Sequence, residues 1–194
     1  MKKVYFSIAT LFIFTMLVFL AYGFVKGSYE NKHELSPLDK LLKEEVKVGE
    51  LLEVSYSNSG DMLGNTDSID VDLKEKVLKT SYADMHSDPL QIKEYKITNE
   101  NVAKIKSIVE RNNLPAFSFL EYDDTRFAYD APTQYISLDY DNTSVGGSKF
   151  KTYGINYYFD IPEGGYELLN ELVVYLRSLE KEENLIKEYL EERD

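Results

Sequence analysis

The pattern of hydrophobic and polar positions divides the chain into three regimes. Residues 4–25 (VYFSIATLFIFTMLVFLAYGFV) carry no charged side chain and are bracketed by Lys2-Lys3 and Lys26. As a helix these positions would span roughly 33 Å, close to the roughly 30 Å hydrocarbon core of a bilayer. Such a run exceeds the roughly 7–15 apolar residues of a cleavable signal. Tyr5, Phe6, Tyr22 and Phe24 suit interfacial belts, and Lys2 and Lys3 favour a cytoplasmic N-terminus with the bulk of the chain outside. The pattern therefore predicts a signal-anchor transmembrane helix over 1–25 and a single-pass protein of the cell membrane. The small residues of Ala21-Tyr22-Gly23 leave cleavage and secretion as the alternative.

Residues 26–48 read as a polar stalk ending in a short helix, with Ser36 as N-cap and Pro37 at its first position. From Gly49 the period becomes two. Leu52, Val54 and Tyr56 alternate with polar residues, as do Ile69, Val71 and Leu73, and further strands are expected at Val77–Tyr82 and Gln91–Ile97. These four form a meander. Thr98 or Asn99 caps a helix with Val102, Ile105, Ile108 and Val109 on its apolar face, and Asn112-Asn113 and Pro115 stop it. Ala116–Pro132 is rich in aromatics and lacks a period, so it must pack against something. Strands five and six are expected at Tyr135–Tyr140 and Lys149–Tyr158. A last helix from about Tyr166 presents Leu168, Leu169, Leu172, Val173, Leu176 and Leu179, is interrupted at Glu180–Asn184, and resumes with Leu185, Ile186, Tyr189 and Leu190. The expected fold class is α+β: an N-terminal transmembrane helix, then one extracytoplasmic domain over 49–194. That domain is a curved antiparallel sheet of about six strands with two helices packed on one face.

Composition narrows the function. With 43% hydrophobic and 29% charged residues, the chain can build a core and is not a disordered tail. A net charge of −12 opposes binding to phosphate backbones, so no nucleic-acid partner is expected. The absence of cysteine removes thiolate catalysis, cysteine metal sites and lipidation at a processed cysteine. Hydrolytic triads fail because the two histidines, His33 in the stalk and His86 in a loop, have no orienting partner in view. Gly146-Gly147 and Gly164-Gly165 match no phosphate loop.

Carboxylates remain. Asp123, Asp124 and Asp130 flank the aromatic loop and could form an acid pair for glycoside hydrolysis in a cell wall, although loop aspartates more commonly bond their own backbone. Asp139-Tyr140-Asp141-Asn142 begins like a calcium loop but lacks its central glycine and terminal glutamate. Its two aspartates fall on one strand face. No catalytic, cofactor-binding or metal residue is therefore assigned. The chain has 16 tyrosines and no tryptophan, and tyrosines on an open sheet face can stack on a partner.

Several structural motifs carry a resemblance. Leu52–Tyr56 followed by Gly60 and Gly64, Tyr95-Lys96-Ile97 with the helix to Asn113-Leu114-Pro115, Asp130-Ala131-Pro132-Thr133, and Leu168–Leu179 together resemble a family of uncharacterised bacterial envelope domains, membrane-anchored or lipoprotein-like. The resemblance spans about Gly49 to Leu179 and implies location and fold, with no catalytic residue. The expected function is a membrane-tethered extracytoplasmic module that binds an envelope protein or wall component without catalysis. The alternative is a wall-active hydrolase using an Asp pair, and a third possibility is an immunity or inhibitor protein whose acidic face matches a basic partner.

Overall fold

The computed structural model describes Met16 and residues 35–59, 65–83, 90–121, 133–157 and 159–191. Residues 37–194 form one unit, distinct from residues 1–36. Its elements are α1 (Pro37–Leu42), β1 (Glu50–Ser59), β2 (Thr66–Asp72), β3 (Val77–Ala83), β4 (Leu90–Lys96), α2 (Asn99–Arg111), β5 (Thr133–Asp141), β6 (Lys151–Asn156), α3 (Gly165–Arg177) and β7 (Leu185–Glu191). The strands make one seven-stranded sheet in the order β6-β5-β1-β2-β3-β4-β7, and every neighbouring pair is antiparallel.

Two helical connections give this order. The chain leaves the β1–β4 meander through α2 and returns to the far side of β1 as β5. It then leaves β6 through α3 and crosses to the opposite edge as β7. Thr98 starts α2 by a reciprocal cap: its Oγ1 accepts from the Asn101 N–H at 3.2 Å, and Asn101 Oδ1 accepts from the Thr98 N–H at 2.8 Å. Both orphan donors of the first turn are thereby satisfied. The helix ends where Asn113 turns left-handed, at φ 44° and ψ 44°, a conformation asparagine tolerates better than most residues.

One face of the sheet is covered. Val54, Tyr56, Ile69, Val71, Leu78, Ile136, Leu138, Tyr153 and Ile155 share a single buried cluster with Ile105, Ile108 and Val109 of α2 and Leu169, Leu172, Val173 and Leu176 of α3. Each fully buried aliphatic side chain contributes about 1.5–3 kcal/mol. The start of the aromatic stretch joins this cluster. Leu114–Phe119 forms a 3-10 helix with Phe117 fully buried, while the part of that stretch beyond residue 121 lies outside the described residues.

Three expectations are corrected. The sheet has seven strands instead of about six, and the domain is this antiparallel sheet with few helices. The segment read as a resumed helix is β7, because the outer backbone groups of β4 need partners and Leu185–Glu191 supplies them. Second, Leu51 is buried in place of Leu52, since a bulge between Leu51 and Glu53 reverses the alternation at the start of β1. Third, no helix among the described residues is long and apolar enough to cross a membrane. The transmembrane and signal-anchor expectation for residues 1–25 is not upheld. Apart from Met16, that run lies outside the described residues.

Two contacts fix the ends of the core. Asn113 Nδ2 donates to the carbonyls of Leu41, Leu42 and Glu44 at 3.2, 3.3 and 2.9 Å, tying down the C-terminus of α1. The Gly49 N–H donates to Oδ1 of buried Asn142 at 2.7 Å, and a Cβ at Gly49 would lie 1.9 Å from the Asp141 carbonyl oxygen. Backbone meets backbone there, so a side chain can enter only by moving β1 or β5. Gly49→Ala is expected to cost about 1–3 kcal/mol, in the upper part of that range, read as a lower denaturation midpoint. Asn113→Gly keeps the left-handed turn and loses the clamp. Hydrogen exchange at the α1 amides should accelerate about fivefold, as for a loss of about 1 kcal/mol, with little change in the global midpoint.

Candidate binding face

Strand alternation sends a second set of side chains away from the helices, and the cross-strand register orders them into rungs. One rung runs Asn156, Tyr135, Ser57, Ser68, Ser81, Ile92, Tyr189 across β6, β5, β1, β2, β3, β4 and β7. The next runs Gly154, Ser137, Ser55, Asp70, Lys79, Glu94, Lys187 from β6 to β7. A third places Asp139, Glu53 and Asp72 side by side. The middle of this outer face thus carries serines beside fully buried Ile92, with Tyr189 at one end of the first rung and Tyr135 next to last at the other. At about 4.8 Å per strand, Tyr135 and Tyr189 are roughly 24 Å apart.

Each feature has a local cause. Ser68 and Ser81 face each other across β2 and β3 with their hydroxyls 2.7 Å apart, so the floor hydrogen-bonds within itself. Tyr135 lies over Gly154: a Cβ there would come within 2.1 Å of the phenolic oxygen. The ring is 37% exposed, which presents an aromatic surface to solvent. At the other end the Tyr189 hydroxyl donates to Glu94 Oε1 at 3.1 Å, and Lys187 Nζ sits 4.0 Å from the ring centroid. Opposite charges alternate along Asp70, Lys79, Glu94 and Lys187, a favourable cross-strand pattern.

Negative charge gathers toward β5 and β1. Burial, and then the neighbouring Asp139, Asp70 and Asp72, push the Glu53 carboxyl above its ordinary range. Among the described residues no three His, Asp or Glu side chains are arranged to hold an ion. Asp139 and Asp141 do share the outer face, as their alternation in sequence requires. Asp141 is occupied locally, its Oδ1 accepting from the Thr143 N–H at 2.9 Å and the Thr143 hydroxyl at 2.6 Å. Those bonds hold its carboxyl below the usual carboxylate range.

The other candidates of the sequence, His33, His86, Asp123, Asp124 and Asp130, lie outside the described residues. The serine rung had no local signal in the sequence. Its members come from seven strands, and only the register aligns them.

Glu53 gives a pH prediction. Folding raises its pKa above 4.5, so the native state holds the proton more tightly than the unfolded chain. Stability therefore falls as pH rises through the raised value. Glu53→Gln removes that loss. The variant should denature at a higher midpoint than the parent at neutral pH, and the difference should close on acidification toward the ordinary carboxylate pKa.

Comparison with protein-family models, curated proteins and solved structures finds no match to this chain, and none bears on the resemblance to envelope domains.

Proposed function

We propose that the domain is a non-catalytic binding module of the cell envelope, acting outside the cytoplasm and taking an extended partner chain across its outer sheet face. The observation that carries this reading is the rung from Tyr135 to Tyr189. It offers two aromatic side chains, with three serines and the buried Ile92 between them, and the small serines let a partner's backbone approach closely. The adjoining acidic patch disfavours anionic partners. Placement outside the cytoplasm rests on sequence alone: the uncharged run over residues 4–25 and the lack of cysteine.

The test compares the parent with Ser57→Arg and Ser68→Arg, which fill the floor of the rung with long charged side chains while leaving the core untouched. Crosslinking in intact cells, followed by capture, should recover a partner with the parent. Recovery should drop about tenfold with either variant at an unchanged melting midpoint, as for a loss of about 1.4 kcal/mol of binding. Identical crosslinks from parent and variants would overturn the reading.

A further inference from the structure

The sheet ends on one side in an open strand. β7 is last in the strand order and pairs with β4 alone, so the backbone groups along its other edge point outward and away from the sheet. Its side chains are correspondingly open: Ile186 is 54% and Leu190 65% exposed, and Tyr189 is half-buried. It is held to β4 by the ladder, by the Tyr189 hydroxyl on Glu94, and by Lys93 and Gln91 on Glu188. Apolar side chains beside an unpaired edge favour the arrival of a further strand. The charges of Lys187, Glu188 and Glu191 decide which strand that is.

They fit a second copy of this chain in one register. Two copies of one strand pair antiparallel about a two-fold axis perpendicular to the sheet. Residues directly opposite each other in a ladder point to the same face, and such an axis keeps each face on its own side. One residue must therefore stand opposite its own copy. Centring on Lys187 or Glu188 sets like charges face to face, which is destabilising. Centring on Ile186 falls on the irregularity where the β4–β7 register shifts, and centring on Leu190 leaves only residues 189–191 of the strand in the ladder. Centring on Tyr189 engages residues 187–191 and sets Lys187 opposite Glu191 of the second copy, twice by symmetry. Tyr189 then meets its own copy on the outer face as a cross-strand aromatic pair. On the other face Leu190 is covered by the stem of the second copy's Glu188, whose carboxylate keeps Lys93 and Gln91 of its own chain as partners.

We propose that β7 is a self-pairing edge through which two copies of this chain join their sheets, with Tyr189 opposite Tyr189 and Lys187 opposite Glu191. The contact stands independently of the partner proposed for the outer face. Its consequence is that two Tyr135–Tyr189 rungs run end to end across one continuous surface. Edge pairing over residues 187–191 buries less than the about 800 Å² per partner of a stable interface, so the association is weak and reversible.

The chain has no cysteine, so single introduced cysteines report the register in the full-length protein. Opposed Cα atoms in a ladder lie about 4.5–5.5 Å apart, within disulfide reach. Lys187 and its own copy would be roughly 13 Å apart along the strands, beyond that reach. Mild oxidation should therefore convert Tyr189→Cys to a covalent dimer at least about tenfold faster than Lys187→Cys or Glu182→Cys, the last at an exposed position outside β7. A mixture of Lys187→Cys and Glu191→Cys chains should crosslink to each other, and reads the same register with Tyr189 intact. In the Tyr189→Cys background, Lys187→Glu should slow crosslinking about fivefold by opposing two carboxylates, and adding Glu191→Lys should restore it. A loss caused by β7 loosening from β4 would not be restored in that way. Equal crosslinking at positions 182, 187 and 189, no crosslink in the mixed pair, or no recovery in the double charge variant would each overturn the proposal.

Discussion

The structure depends on β1 being paired on both sides. Its Val54 lies between Val71 and Leu138, and its Tyr56 between Ile69 and Ile136, and all six side chains are buried. Backbone hydrogen bonds hold these neighbours in register, and a slip of one residue would turn the apolar set of any of these strands toward solvent. β2 follows β1 after a short connection. β5 arrives only after three further strands and a helix, so the second ladder closes a long loop. The bulge at Leu51 and Glu53 belongs to that ladder. It restores Leu51 to the covered side at the point where Gly49 and Asn142 lock the strand ends together.

Once β1 is fixed, the two faces follow. Helices α2 and α3 both serve as return connections, and their apolar stripes join the cluster on the same face. The outer face carries what alternation leaves over, which is serine, charge and tyrosine. The helices do not bury the far end of the inner face, where β4 and β7 carry Lys93 and Glu188 in place of aliphatic residues. One sheet therefore carries two unlike faces, one broad and polar, the other apolar under the helices and charged at its far end.

Much of the local structure was legible from the residues. Thr98 or Asn99 marks the start of α2, Asn112-Asn113 its end, and Ile105, Ile108 and Val109 its buried stripe. Short-range periodicity and capping chemistry suffice for such features. The β1–β4 meander was legible for the same reason. The seventh strand was not. Leu185, Ile186, Tyr189 and Leu190 have near-helical spacing, and only the open edge of β4 makes extended pairing the better outcome. The side of β1 that faces the core was legible from Val54 onward, but the bulge that exchanges Leu52 for Leu51 depends on its β5 partners Tyr140 and Asp139, far along the chain. A period matched to a bilayer in residues 4–25 is a property of length and polarity, and the described helices do not include a membrane-spanning one.

The sequence by itself determined the approximate places of six strands and the two long helices, which residues are apolar enough to form a core, and that the chain is acidic and free of cysteine. Tertiary structure alone decided which serines share a rung, that Tyr135 lies on Gly154, and that β7 closes the order of strands with one edge unpaired. The division has a physical reason. Periodicity and caps act over a few bonds and are written locally, whereas a surface or an open edge exists only after distant strands have taken one register.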